Sequence, residues 1–182
     1  TVGPLMTENA AEVADGILLH AFTTEEYIRT VTLPAVEAGL AKSGRTRQDL
    51  QIVGGPFFIT GATEEEFDRV KLAACNQIAF YGSTPAYRGV LESIGYGELQ
   101  GELNRLSKAG DWLAMGQLID DRLLEKLAIV GEPAEIGEKV HQRYGDIFDI
   151  CAASVFTGDG YSAGGYNRDL AEAIRGTGRP AQ

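Results

Sequence analysis

The stretch that decides the fold runs from Val2 to His20 and reads VGPLMTENAAEVADGILLH. Gly3 and Pro4 indicate a tight turn that leads into a short helix, because proline suits the first position of a helix. Gly16, which follows an aspartate, is expected to end that helix in the left-handed conformation typical of a C-terminal cap. The apolar residues that follow are too few for a buried helix, so they predict a strand that is covered on both faces.

The predicted helix in this stretch has a packing face and a polar start. Leu5, Ala10 and Val13 fall at roughly helical spacing, which predicts that this face of the helix packs against the rest of the chain. At the start of the helix, free N–H groups and the positive end of the helix dipole meet at one point. The turn is therefore a candidate site for an anion, most usefully a phosphate; the alternative is a tight turn that binds nothing.

Composition disfavours several classes of partner. The 182 residues carry a formal charge of −10, with 26 acidic against 16 basic residues, which disfavours nucleic acid and anionic membranes because both need basic patches. No apolar run approaches the roughly 20 residues of a membrane span, and no signal peptide is visible. Cys75 and Cys151 lie far apart in apolar surroundings. They predict buried free thiols in a reducing cytoplasm, and no metal site.

Downstream of His20, strand and helix signals alternate, which predicts a parallel sheet. A helix capped by a threonine, Thr23 or Thr24, should be kinked or divided by Pro34. The next strand spans 51–58, although its glycines are irregular for a strand. Another helix follows, and Thr63 is placed to cap it.

A long helix-forming region then runs from about 64 to 127. Three breaks that contain glycine interrupt it: 82–85, 95–97 and 109–111. The region is too long for one crossover and predicts an inserted helical segment. A helix that begins near Pro133 and a last buried strand at 149–156 complete the pattern. His141 lies in the middle of that helix among charged residues and is expected to be solvated.

Four short motifs carry a resemblance to a known family. Gly-Pro-x-Met and Ala-x-x-Ala-Asp-Gly precede the first apolar strand, and the segments 80–87 (FYGSTPAY) and 130–136 (VGEPAEI) follow in the same order. On these motifs the chain resembles the luciferase-like monooxygenase superfamily, and within it the actinobacterial branch that uses the deazaflavin coenzyme F420. The members are flavin- or deazaflavin-dependent (β/α)8 barrels. The resemblance covers nearly the whole chain.

The fold that the resemblance implies is α/β, of the (β/α)8 TIM-barrel type. The opening stretch resembles the end of the fifth barrel strand, its helix and the sixth strand. Residues 1–182 would then be the C-terminal part of one barrel domain, with strands 6 to 8, their helices and a helical insertion at about 64–129. A complete barrel needs about 250 residues, which favours a fragment over a complete small α/β domain. Half a barrel would leave a sheet edge open.

In such a barrel, chemistry lies on the loops after the carboxyl ends of the strands. The residues expected to bind the cofactor are those of the opening turn: Gly3, Pro4, Leu5, Met6 and Thr7. His20 ends the first strand and is the candidate catalytic residue, as a proton donor or as a hydrogen-bond partner of a flavin-like ring. The alternative for His20 is a histidine satisfied by backbone groups at the barrel rim.

A second candidate cluster surrounds the helix break near residue 83. Tyr81, Tyr87 and Arg88 are expected to bind substrate as parts of a lid, with Arg88 reaching an anion. The alternative is an ordinary turn with an aromatic ring packed beneath it. Two further loops, 58–62 and 156–165, follow predicted strands at the same end of the sheet.

The function that the resemblance implies is hydride transfer between coenzyme F420 and a small organic substrate. One alternative is an FMN-dependent monooxygenase on the same fold. Another is a non-catalytic binding or scaffold domain. The cofactor would carry the chemistry while the protein supplies binding and orientation, and the fragment alone is expected to be inactive. The partners expected are a small-molecule substrate and further copies of the chain in a homo-oligomer.

Overall fold

The computed structural model of the protein describes residues 2–153 and 168–176, with only the backbone of Asp169. Among these residues the α-helices are α1 (Pro4–Val13), α2 (Glu25–Tyr27), α3 (Leu33–Ser43), α4 (Glu64–Gly82), α5 (Arg88–Ser93), α6 (Leu99–Ala109), α7 (Trp112–Gln117), α8 (Asp121–Leu127), α9 (Pro133–Tyr144) and α10 (Arg168–Gly176). The strands are β1 (Gly16–Leu18), β2 (Gln51–Gly54), β3 (Phe57–Ile59), β4 (Ala128–Val130) and β5 (Ile150–Cys151).

All of the described strand pairs are parallel, as the alternation of strand and helix signals predicts. One sheet has the order β1-β2-β5, with Ile17 opposite Ile52 and Val53 opposite Ile150. The other sheet pairs β3 with β4, so that Phe58 lies opposite Ile129. Helices lie in the connection between the two strands of each parallel pair, which is the arrangement of an α/β fold.

The opening turn forms as predicted, but the helix after it ends differently. Gly3 caps α1 at φ 80°, a left-handed conformation that glycine adopts without strain, and Pro4 is the first helical residue. The prediction that Gly16 caps the other end is wrong. The helix ends at Val13 because Ala14 is already extended. Gly16 instead starts β1 opposite Gln51, whose carbonyl oxygen would lie 3.2 Å from an added Cβ.

The predicted packing face of α1 is wrong at two of its three residues, since only Ala10 packs against the core. Leu5 and Val13 are 75% and 79% exposed, whereas the buried residues of α1 are Thr7 and Ala11. The reason is the partner helix: Gly39 of α3 lies against this face, and an added Cβ there would stand 2.9 Å from the Cβ of Ala11. Only small side chains fit such a close crossing, so the larger apolar residues of α1 point elsewhere.

The first strand is covered on one face only, which corrects a second prediction. Ile17 is buried while Leu18 is 64% exposed, as expected when successive side chains of a strand point to opposite faces. Among the described residues only β2 pairs with β1, so the other edge of β1 carries no strand there.

Two local predictions about helix geometry are confirmed. The Oγ1 of Thr24 accepts a hydrogen bond of 3.1 Å from the N–H of Tyr27 and so caps α2. Pro34 divides the helix that follows: residues 28–32 form a π-helical turn, and α3 begins at Leu33. A π-turn is a common way for a helix to absorb a proline.

The irregular strand at 51–58 is in fact two strands in two sheets. The chain leaves β2 at Gly54 and enters β3 at Phe57. Gly54 has no room for a side chain because the ring of Phe148 fills the space where a Cβ would be. The partner of β3 is β4, which the sequence pattern does not predict because it places the end of the helical insertion there. A strand of three residues is too short to show a hydrophobic period of its own.

The helical region breaks where its glycines predict, and its ends differ in detail from the pattern. Residues 64–127 form α4 to α8 with short connections. The last strand is less buried than predicted, since Ile150 is 47% exposed. Residues 154–156 of that strand and the loop to 165 lie outside the described residues. His141 is not simply solvated, because its Nε2 lies 3.0 Å from the carbonyl oxygen of Ile174 in α10.

Buried apolar side chains from the helices and from both sheets form one core. Cys75 in α4 belongs to this core, as predicted, and Cys151 is half-buried; both are free thiols. None of the described helices has the length and the apolar character needed to cross a membrane.

Candidate functional site

The carboxyl end of β1 and the start of α1 meet at one small cavity. Its walls include Gly3 and Thr7 from the opening turn, His20 from the loop after β1, and Tyr87 from the turn before α5. The enclosed volume is about 20 Å³, close to the space of a single water molecule. The structure thus brings together the predicted cofactor turn, the predicted catalytic histidine and one predicted substrate residue.

His20 is surrounded by aromatic rings. The ring of Tyr81 meets the imidazole edge-on, with 4.6 Å between ring centroids and 87° between planes. The ring of Tyr87 lies 5.0 Å away at 37°. Phe22 contacts Tyr87 at 5.3 Å and is fully buried behind the loop. These contacts hold the orientation of the imidazole ring, since aromatic pairs prefer edge-to-face or offset geometries.

The hydrogen bonding of His20 defines its protonation. Its Nδ1 accepts a hydrogen bond of 3.0 Å from the N–H of Phe22, so the proton of the neutral ring resides on Nε2. Burial lowers the pKa of His20 from its ordinary value, because the charged form loses solvation. At neutral pH His20 is therefore a neutral imidazole with a single Nε2–H donor.

The start of α1 offers fewer hydrogen-bond donors than the sequence suggests. Pro4 has no N–H, and Thr7 uses both its N–H and its hydroxyl on the carbonyl oxygen of Gly3, at 3.2 and 3.0 Å. The remaining N–H groups of the first turn belong to Leu5 and Met6, which have no partner within the helix. An anion at this turn would therefore be bound by two backbone N–H groups and by the helix dipole.

Arg88 does not join this cluster. Its guanidinium pairs with Glu92 at 2.7 Å and with Glu98 at 3.5 Å on an exposed surface. The structure therefore separates Tyr81 and Tyr87, which contact His20, from Arg88, which contacts acidic side chains. The carboxylates of Glu92 and Glu98 thus occupy the guanidinium of Arg88, which the lid hypothesis assigns to a substrate anion.

Comparison with known proteins identifies the family. Residues 1–149 match the family model described as luciferase-like monooxygenase, which is more than half of the chain. The chain belongs to the luciferase-like monooxygenase family. This confirms the resemblance that the opening turn and the two later motifs indicate.

The relatives of this luciferase-like chain are about twice its length. An uncharacterized protein of Mycobacterium tuberculosis is 46% identical over 148 residues, which are 81% of this chain and 44% of the relative. The 5,10-methylenetetrahydromethanopterin reductase of Archaeoglobus fulgidus is 29% identical over 147 residues, or 77% of this chain and 42% of that enzyme. The chain thus spans a little under half the length of these relatives.

A solved structure supports the fold. It is the coenzyme F420 dependent tetrahydromethanopterin reductase from Methanopyrus kandleri, which superposes on this chain with a TM-score of 0.70. The superposition covers 97% of this chain and 48% of the reductase chain. The sequence identity is 21%, so the likeness concerns the fold. This luciferase-like chain therefore shares the α/β architecture of that reductase over almost all of its residues.

Three contributors to the site escape the sequence patterns. Phe22 backs the tyrosine rings, and two amide side chains of α6, Gln100 and Asn104, bind the turn between Tyr81 and Tyr87. One signal could have found the amides. They stand four residues apart, on the same face of α6 as a buried leucine, where an unpaired amide would be costly.

Two larger cavities lie away from His20. The first, of about 460 Å³, borders the outer edge of β4, where Lys139 and Arg143 donate to the carbonyl oxygens of Val130 and Ala128 at 2.9 and 2.8 Å. The second, of about 350 Å³, lies between α3 and the turn around Ile147. Neither includes a predicted site residue. Within the described residues, no group of three or more metal-binding side chains occurs.

Proposed function

We propose that this chain contributes the cofactor turn and the catalytic histidine of an oxidoreductase that transfers a hydride between coenzyme F420 and a small organic molecule. The observation that carries the proposal is the meeting of the opening turn with a neutral, oriented His20 at one cavity. Family membership and the F420 dependence of the similar reductase from Methanopyrus kandleri support the choice of cofactor.

The residues of the site fit the polar groups of such a cofactor in their chemistry. The N–H groups of Leu5 and Met6 at a helix start suit a phosphate, and nothing lies within 4 Å of the Cβ position of Gly3, so the turn is open to a ligand. The cavity of about 20 Å³ is far too small for a tricyclic ring. Most walls of the ring site would therefore come from residues other than those described.

In this proposal His20 supplies one positioned hydrogen-bond donor. Coenzyme F420, when bound, would supply or accept the hydride. The Nε2–H of His20 can donate a hydrogen bond to a substrate oxygen that becomes negative during reduction, which stabilises that charge while the proton stays on the ring. Tyr81 and Tyr87 keep the ring in one orientation and exclude water from one side of it.

We also propose that the sheet is part of a longer (β/α)8 barrel, with β1, β2 and β5 as its strands 6 to 8. Leu18 is 64% exposed, and only one edge of β1 is paired among the described residues. The relatives are about twice as long. In that barrel a preceding strand would pair along the edge of β1 opposite β2, because closing a barrel removes its edges.

The test is cofactor titration of the full-length protein, with Leu5→Asp and Val13→Asp as a matched pair. Leu5 and Val13 are both exposed on α1, but only Leu5 lies in the first turn. A carboxylate at Leu5 sets like charge beside the phosphate, so its affinity for F420 should fall at least about tenfold, or ~1.4 kcal/mol. Val13→Asp should bind like the wild type, and circular dichroism checks that both variants fold.

The same titration separates the alternatives. Quenching of F420 fluorescence in the wild type, lost in Leu5→Asp and retained in Val13→Asp, supports the proposal. Binding of FMN without any response to F420 would favour the FMN-dependent monooxygenase. Binding of neither cofactor would favour a scaffold domain, and equal F420 affinity in wild type and Leu5→Asp would move the phosphate away from this turn.

A further inference from the structure

We propose that two amide side chains of α6, Gln100 and Asn104, are positioning residues for His20. They act through the peptide group that joins Ser83 to Thr84, between the two tyrosines that contact the imidazole. The catalytic meaning of this inference rests on the proposed function, but the arrangement itself can be tested without any cofactor.

The carbonyl oxygen of Ser83 is held by both amides. The Nε2 of Gln100 donates to it at 3.1 Å, and the Nδ2 of Asn104 donates to it at 2.9 Å. Gln100 is only 7% exposed, so its amide is committed to this contact at the cost of its hydration. A carbonyl oxygen has two lone pairs, and here both are used by one helix.

The N–H of the same peptide group and the carbonyl of the next one are hydrogen-bonded to the backbone of the tyrosines. The N–H of Thr84 donates to the carbonyl oxygen of Tyr81 at 3.0 Å, and the N–H of Tyr87 donates to the carbonyl oxygen of Thr84 at 3.0 Å. The turn from Tyr81 to Tyr87 therefore has a fixed backbone path. A tilt of the Ser83–Thr84 peptide would move both tyrosine side chains.

Close packing between α6 and the loop after β1 leaves the turn little freedom. A Cβ added at Gly82 would lie 2.9 Å from the Cδ1 of Leu103 in α6 and 3.5 Å from the Cζ of Phe22. Leu103 and Phe22 are both fully buried. Leu103 of α6 and Phe22 of the loop after β1 thus both pack against Gly82. The amides of α6 and the aromatic rings around His20 therefore belong to one packed unit.

The consequence concerns the environment of the imidazole. The ring of Tyr81 stands edge-on to His20 at 4.6 Å, and Tyr87 lies at 5.0 Å. Both rings desolvate His20 and fix its orientation. If the amides of α6 released the turn, His20 would gain water contact and freedom to rotate, while the hydrogen bond from Phe22 would remain.

The test uses Gln100→Glu and Asn104→Asp, which keep side-chain shape and replace an amide donor with a carboxylate oxygen beside the Ser83 carbonyl. The readout is the proton NMR spectrum of the His20 ring in the full-length protein, assigned as the signals that disappear in His20→Gln. The nearby tyrosine ring displaces the His20 proton shifts in the wild type. In both variants these shifts should move toward those of an exposed histidine, and the pKa should rise toward 6.5.

The matched control is Gln142→Glu. Its amide donates to Glu138 at 2.8 Å on the exposed face of α9, so the variant loses a similar hydrogen bond without touching the turn. Its His20 spectrum should equal that of the wild type. If Gln100→Glu fails to fold, Gln100→Met removes the donor without adding charge, and the less buried Asn104→Asp gives the same readout.

Unchanged His20 shifts in folded Gln100 and Asn104 variants would overturn the inference. The outcome is separate from that of cofactor titration. Shifted His20 signals in a protein that binds neither F420 nor FMN would support the positioning role and count against the proposed function. Loss of F420 affinity in Leu5→Asp, together with unchanged His20 signals in the Gln100 and Asn104 variants, would support the proposed function and count against the positioning role.

Discussion

Gly39 offers a sharp test of how α1 is held. It lies in α3 where that helix crosses α1, and an added Cβ would overlap the carbonyl oxygen of Glu8 while standing 2.9 Å from the Cβ of Ala11. The overlapped atom belongs to a helix backbone, so no change of rotamer relieves the contact. In Gly39→Ala the two helices must separate by on the order of 1 Å, and the opening turn moves with α1.

The expected magnitude is the difference between two opposed effects. Alanine in place of glycine within a helix gains up to about 1 kcal/mol. Overpacking of a close crossing costs about 1–3 kcal/mol, so Gly39→Ala should lower the free energy of unfolding by ~1–2 kcal/mol. Gly101 is the control, because it lies on the exposed side of α6 with no atom within 4 Å of its Cβ position. Gly101→Ala should raise stability by about 0.5–1 kcal/mol.

The assay is urea denaturation followed by circular dichroism and by the fluorescence of Trp112, the single tryptophan. The two variants should shift the midpoint in opposite directions with similar slopes, since a change of midpoint at constant slope is a change of stability. A Gly39→Ala protein as stable as Gly101→Ala would show that α1 and α3 can part without cost, and the reasoning from their close crossing would fail.

Three further outcomes follow from the structure. Burial lowers the pKa of His20, so the imidazole binds a proton more readily in the unfolded chain than in the folded one. The contribution of His20 to the free energy of unfolding should therefore be constant above pH 6.5 and decline as the pH falls below it. The urea midpoints of His20→Gln should lack this part of the decline. Burial raises the pKa of Cys151 to about 11, so alkylation at pH 8, with the other cysteine replaced, should be roughly 100-fold slower than for a thiol with a pKa of 9.0; labelling as fast as that of a small-molecule thiol would contradict the burial. Thr24→Ala removes the cap of α2 at the N–H of Tyr27 and should cost about 1 kcal/mol in thermal or urea unfolding, whereas Thr30→Ala, whose hydroxyl is exposed, should change stability by less than about 0.5 kcal/mol.

Features set by the local backbone could be predicted from the sequence. Gly3 and Pro4 form the opening turn, Thr24 caps α2, and Pro34 divides the following helix. Each of these depends on a conformational limit or a hydrogen bond within four residues. The alternation of strands and helices likewise predicts parallel pairing, because a parallel connection needs a crossover.

Features set by distant partners could not. The buried face of α1 is chosen by Gly39, 28 residues beyond Ala11, and not by the apolar residues of α1 itself. Strand β4 exists because β3 offers an edge for pairing. Leu18 points outward because only one face of β1 is covered among the described residues. Periodicity reports where apolar residues recur, but which of them become buried depends on the surface that they meet.

The candidate site shows the same division at the level of chemistry. Residue types and strand ends predict His20 and the opening turn as candidates, and the fold brings them to one cavity. The state of His20 depends on contacts that no spacing reveals: the N–H of Phe22 on Nδ1, and the rings of Tyr81 and Tyr87 around the imidazole. The two tyrosines, which are predicted to bind substrate, contact the histidine. Replacing either tyrosine would therefore also change the pKa of His20. The pKa of His20 in a Tyr81 variant must be measured before a change in activity is assigned to substrate binding.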